Sequence, residues 1–112
     1  MDIKIPDKLK IGGFDYTIEQ NTTFKQEGLA GEACHDELKI KLDVNSVGQF
    51  KDMSFIHELF HCIDCYYNNN SLKEEVIARL SNGLYQVLKD NNFIISNDIE
   101  IYPKPVYRKE IK

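Results

Sequence analysis

The stretch "SFIHELFHCIDCYY", residues 54–67, carries most of the chemistry this chain has to offer. His57 and His61 stand one helical turn apart, with Glu58 directly after the first. On a helix, that spacing lets both imidazoles reach one ion about 2 Å from each. With His57 at zero on a wheel of ~100° per residue, His61 falls at roughly 40°, Asp64 at roughly −20° and Cys65 at roughly 80°. Phe55, Ile56, Leu59, Phe60, Ile63 and Tyr66 fill the opposite arc. One face is therefore apolar and the other is a row of metal-capable groups. Glu58 lies at roughly 100°, beside the histidine pair rather than in line with it. That offset suits a general base, which accepts a proton from an activated water without occupying a coordination position.

Two helical histidines do not complete a catalytic zinc site, which uses three protein ligands and leaves a fourth position for water. No histidine follows His61. The remaining candidates are Glu74, Glu75, Asp64, Cys65 and the distant His35. The segment from Leu72 to about Asp90 reads as a helix whose core stripe is Ile77, Leu80, Leu84, Val87 and Leu88. With Leu80 at zero, Glu74 falls at roughly 120°, beside Ile77 and Ser81, and Glu75 at roughly −140° on the outer face. Glu74 is thus better aimed at the first helix. It has a competing role: Ser71-Leu72-Lys73-Glu74 reads as a capping box, in which Glu74 folds back onto the Ser71 backbone. Cys65 shares the histidine face and is the rival ligand. Asp64 is placed either to orient a ligand imidazole or to cap the helix as an ordinary aspartate. His61 stands roughly 9 Å along the axis before Tyr67. The two helices must therefore cross, or the first must end early, for the three ligands to converge.

Cys62 and Cys65 form a CxxC pair. A reactive pair of this kind needs a helix N-terminus to lower its thiol pKa, and these two lie near the far end of a helix. The sequence therefore speaks against a redox role.

Strands should precede the helices. "LKIGGFDYTIEQ" alternates on both sides of Gly12-Gly13, a hairpin signal because glycine accepts the positive φ of a primed turn. A second hairpin is expected around "ACHDELKIKLD", with Leu38, Ile40 and Leu42 pointing one way. The polar segment "NTTFKQEGLAGE" between them reads as loop. Asn45 or Ser46 is expected to cap the motif helix, which runs from about residue 46 to 67. "NNNS", residues 68–71, breaks it. The tail, residues 93–112, is expected to add a short strand near Ile99–Tyr102 before Pro103 and Pro105. The expected fold class is α+β: strands within 3–43, then helices packed on a small, mostly antiparallel sheet, as one domain over 1–112.

At 112 residues, 42% hydrophobic and 29% charged, the chain has the composition of a folded protein with one modest core. A net charge of −4 and a pI near 5.3 give no global field that favours nucleic acid or anionic membrane. No apolar run approaches the ~20 residues that cross a bilayer, and "MDIKIPDKLK" has no signal-peptide core, so a cytoplasmic location is expected. Three cysteines without an export signal argue against a disulfide framework.

"FIHELFHCID" followed by "EEVIARLSNGLYQVLKDN" resembles the small phage- and prophage-encoded zincin-like metallopeptidases, relatives of the ImmA/IrrE family. The resemblance covers roughly residues 1–92 and is strongest over the two helices. It implies a minimal gluzincin: zinc on His57, His61 and Glu74, with Glu58 as general base. It also implies that the last strand before the motif helix, "LKIKLD", lies along the cleft as an edge strand and holds an extended peptide or protein substrate. Tyr66, Tyr67 and Tyr102 are the candidates for a transition-state donor. The functional expectation is zinc-dependent peptide hydrolysis. Its alternative is a zincin-fold binding module that keeps the zinc without turnover.

Overall fold

The computed structural model describes residues 2–26 and 28–95, in the order β1 (Asp2–Ile3), β2 (Lys8–Ile11), β3 (Phe14–Thr22), β4 (Gly31–Cys34), β5 (Lys39–Asp43), α1 (Gly48–Tyr67), α2 (Glu74–Asp90) and β6 (Ile94–Ile95). The class is α+β. Gly12 and Gly13 take φ of 61° and 85° and close the β2–β3 hairpin, with Ile11 opposite Phe14. Only a residue without Cβ fits at Gly12, since a methyl there would meet the Tyr66 ring at 2.5 Å. Tyr67 accepts the Gly12 N–H at 3.2 Å. The first hairpin is therefore clamped to the C-terminal end of α1.

β4 and β5 form the second hairpin, in register from Gly31 opposite Leu42 to Cys34 opposite Lys39. The sheet order is β2-β3-β5-β4. Two of its three ladders are antiparallel, and the central one, β3 against β5, is parallel. The sheet is therefore mixed. β5 is an interior strand, which corrects the expectation that "LKIKLD" forms an edge along the cleft. The chain crosses over after β3 and sets β4 outermost, so β4 is the edge strand nearest the helices. Burial explains the choice. Ile40 and Leu42 are fully enclosed between the sheet and α1, which an edge strand does not achieve as readily.

The core joins Ile11, Tyr16 and Ile18 of the first hairpin with Ile40 and Leu42 of β5, Phe55, Ile56 and Cys62 of α1, and Tyr85 of α2. The helices start later than expected. Asp43 accepts the Asn45 N–H through its carboxylate and the Ser46 N–H through its backbone oxygen. Those residues make a turn, and α1 starts at Gly48 with Val47 as an N-cap that makes no side-chain bond. Likewise α2 starts at Glu74, not Leu72, behind Lys73. The expected apolar stripes are also rotated. On α2 the buried residues are Ile77, Ser81 and Tyr85, whereas Leu80, Leu84 and Val87 face outward. On α1, Ile63 is exposed and Cys62 is enclosed. A backbone pairing of β1 with β6, Asp2 opposite Ile94, ties the two ends of the described chain together. The strand expected at Ile99–Tyr102 lies outside the described residues. Among those described, no helix is long and apolar enough to cross a membrane.

Candidate metal centre

His57 and His61 project from successive turns of α1, with ring centroids 4.9 Å apart. Glu74, the first residue of α2, meets them from the facing helix. Its Oε2 lies 2.8 Å from His57 Nε2 and its Oε1 lies 2.9 Å from His61 Nε2. The ligand atoms of these three residues all lie within 4.8 Å of one another, a triad with the geometry to hold a metal ion. Tetrahedral bonds of ~2.0–2.1 Å to nitrogen and oxygen hold ligand atoms roughly 3.3 Å apart. The carboxylate therefore has to withdraw by about half an ångström to admit an ion. Its side chain is 65% exposed, which leaves it free to do so. Two imidazoles with one carboxylate form a donor set suited to divalent transition metals. Cys65, Glu75 and Asp64 are not part of the triad.

The rotation of α2 explains how Glu74 reaches the histidines. Glu74, Ile77, Ser81 and Tyr85 repeat at three- and four-residue intervals and form a single stripe. This stripe, rather than the most apolar arc, is the one turned inward. Ser81 Oγ donates to the Ala78 carbonyl at 3.2 Å and makes a longer contact, 3.5 Å, with His57 Nδ1. As an acceptor from Nδ1–H it would favour the tautomer that leaves Nε2 free for an ion. Ser81 thus occupies the role that the sequence offered to Asp64.

Asp64 acts instead on the connection. It is 3% exposed, and its carboxylate accepts from Asn68 Nδ2 at 2.9 Å and from the backbone N–H groups of Ser71 and Leu72 at 3.2 and 3.3 Å. Its backbone oxygen accepts the Asn68 and Asn70 N–H groups at 3.1 and 2.8 Å. Asn69 and Asn70 take the left-handed conformation that reverses the chain, with φ of 59° and 53°. The connection therefore folds back to the level of Asp64, one turn beyond His61. That brings Glu74 level with the histidines without shortening α1. It also removes the capping box: the Ser71 N–H is held by Asp64, leaving Glu74 free to face the cleft. Replacing Asp64 by alanine should cost about 2–4 kcal/mol, because three donors lose a buried charged acceptor. Urea unfolding would measure it. The metal affinity should fall with it, since Glu74 is positioned by that turn.

Glu58 is 8% exposed and packs under β4. A methyl on Gly31 would stand 3.0 Å from its Cγ and 3.1 Å from its Oε2, so Gly31 is what allows the strand to pass over the carboxylate. Burial, then the charges of Glu74 and Glu32, raise the Glu58 pKa to about 7. A carboxyl poised there exchanges protons readily near neutral pH. Gly31→Ala should push the carboxylate aside. Were the site hydrolytic with Glu58 as its base, kcat should fall roughly tenfold to a hundredfold at unchanged metal content. Steady-state kinetics alongside metal analysis would check this.

Two adjoining hollows of about 320 and 350 Å³ share Leu29, Gly31, His57, Glu58 and Glu74. The first is also lined by Ala30, Phe50, Met53, Ser54 and Asn82, the second by Glu32, Ala33, His35 and His61. His57, Glu58 and Glu74 therefore lie where the two hollows meet. Of the expected transition-state donors, Tyr66 bonds Tyr16 and Tyr67 bonds Gly12, and neither lines these hollows. Tyr102 lies outside the described residues. His35, which the sequence offered only as a distant ligand, does line the second hollow. Burial, then the nearby His61, lowers its pKa. Its position depends on how the β4–β5 hairpin packs against α1, which strand alternation does not show. All three cysteines are free. Burial, then the charge of Glu58, pushes the Cys62 thiol up to about 12, so this cysteine is an inert core residue. No family model, curated protein or solved structure matches this chain.

Proposed function

We propose that this protein is a zinc-dependent peptidase of minimal gluzincin architecture, akin to the small phage-encoded zincin-like enzymes its motif resembles. One observation carries the reading. His57, His61 and Glu74 converge from two helices, and a buried carboxyl with a pKa near 7 borders the same cleft. A purely structural metal site has no use for such a group.

Zinc held by these residues supplies a Lewis acid that lowers the pKa of water towards neutrality and polarises a carbonyl. Glu58 takes the proton released as water attacks and delivers it to the departing amine. Ser81 keeps the His57 ring in place from behind. β4 pairs only with β5 among the described strands, so its outer edge is open. Gly31, Glu32 and Ala33 of that strand line the cleft. An extended peptide that adds to β4 through main-chain hydrogen bonds would pass across the triad. The part of the first hollow beside Phe50 and Met53 suits an apolar side chain of that peptide.

The test is hydrolysis of a mixed peptide library by zinc-loaded protein, read by mass spectrometry. Cleavage that stops with a chelator and returns with zinc supports the reading. A protein that binds about one zinc per chain but cleaves nothing would instead be a binding module on the same fold.

A further inference from the structure

His35 has no role in the hydrolysis outlined above, yet it lines the same hollow as His57, Glu58 and His61. It belongs to the turn that joins β4 to β5, at the end of the strand proposed to hold the peptide. Its Nδ1 lies 2.9 Å from the Tyr16 hydroxyl, and that hydroxyl lies 2.7 Å from the Tyr66 hydroxyl. Tyr16 is fully enclosed. It has one proton to donate and two lone pairs to accept with. A neutral imidazole nitrogen is a stronger acceptor than a phenol oxygen. Tyr16 can donate to His35 Nδ1 while it accepts from Tyr66. In that arrangement Nδ1 accepts and the ring hydrogen resides on Nε2. The described residues provide no hydrogen-bond partner for Nε2.

We propose that His35, its Nε2–H set by the Tyr66–Tyr16 hydroxyl chain, is the donor that stabilises negative charge on the scissile carbonyl oxygen. This rests on the peptidase reading. The donor is preorganised at both ends: the turn is fixed by the β4–β5 ladder, and the ring is fixed by a tyrosine held in the core. Tyr16 is a positioning residue that acts through the imidazole. Tyr66 secures it and closes the chain.

The test uses the zinc-loaded protein and three readouts. Ring nitrogen NMR should show the Nε2–H tautomer of His35 in the wild type, and Tyr16→Phe should lose that preference. A peptide phosphonamidate, whose anionic tetrahedral centre copies the developing charge, should bind His35→Ala roughly a hundredfold more weakly, at unchanged zinc content. Hydrolysis by His35→Ala should lose roughly 10²–10³ in kcat with little change in KM, and His35→Gln, which keeps a donor, should recover part of it. An Nδ1–H tautomer in the wild type overturns the proposal. So does hydrolysis or phosphonamidate affinity within about threefold of wild type in both His35 variants. If no peptide is cleaved at all, the peptidase reading falls, and the phosphonamidate decides separately. Weaker binding by folded His35→Ala or His35→Gln retains the anion-donor role, and equal or absent binding in wild type and variants removes it.

Discussion

Glu74→Ala, purified without added metal, should carry almost no zinc where the wild type should carry about one per chain. Glu75→Ala and Cys65→Ala, prepared in parallel, should match the wild type. The expectation follows from where each side chain lies. Glu74 offers one oxygen to each Nε2, at 2.8 and 2.9 Å, and supplies the only negative charge in the triad. Without it, two imidazoles on one helix remain, and nothing offsets the charge of a dication. Loss of a group that merely supports a ligand costs about 10–100-fold in metal affinity, so loss of a ligand itself should exceed roughly a hundredfold. Glu74 opens α2 and is largely exposed, so its removal takes little from the core. A circular dichroism spectrum like that of the wild type would separate loss of metal from loss of fold. Elemental analysis by mass spectrometry gives the count. Loss of metal from Cys65→Ala, with Glu74→Ala still loaded, would mean that the helices pack differently and that the site is not a gluzincin one.

The sequence was most readable where chemistry and local geometry coincide. His57, Glu58 and His61 lie within five consecutive positions, and a single helical turn relates them. Glu74 was legible from its phase on α2, although the reasoning placed it at the edge of the buried face when it lies on its main line. The error came from ranking arcs by apolarity. Ser81 and Glu74 turn inward because they meet His57 and His61, and Leu80, Leu84 and Val87 turn outward as a consequence. Polar complementarity between the helices chose the face. The Gly12-Gly13 hairpin was legible for a similar reason, since two adjacent glycines signal a turn that needs positive φ. Strand order was not. Alternation in "LKIKLD" predicts a strand but carries no information on whether it has one neighbour or two. The parallel β3–β5 ladder and the edge position of β4 depend on pairings between distant segments, and the placement of His35 in the cleft depends on how the β4–β5 hairpin meets α1. Asp64 shows the same limit. Its phase near the histidines suggested a partner for imidazole, but its carboxylate is taken by the N–H groups of a turn whose path no wheel displays.

Glu58→Gln should retain zinc and lose roughly 10²–10⁴-fold in kcat, and it should also change how the metal-free protein responds to pH. The first part follows because Glu58 is outside the ligand triad but borders both hollows of the cleft. Glutamine keeps the shape of the side chain and accepts no proton from water. The second part follows from linkage. Burial, the Glu74 charge and the Glu32 charge raise this carboxyl from 4.5 to about 7 in the folded protein. Below about pH 4.5 it is neutral in both folded and unfolded chains, and burial of its charge costs nothing. As pH rises towards 7, the unfolded chain ionises first, so the folded state loses relative stability. Above about pH 7 the loss is complete. At ~1.4 kcal/mol per pKa unit it amounts to at most about 3–4 kcal/mol. Glutamine has no such titration. Urea unfolding of metal-free wild type and Glu58→Gln at pH 5 and pH 8 should therefore diverge, with the variant gaining on the wild type at the higher pH. A difference that stays constant between the two pH values would place the Glu58 carboxylate in water rather than beneath β4. The case for a poised general base would then lose its structural support.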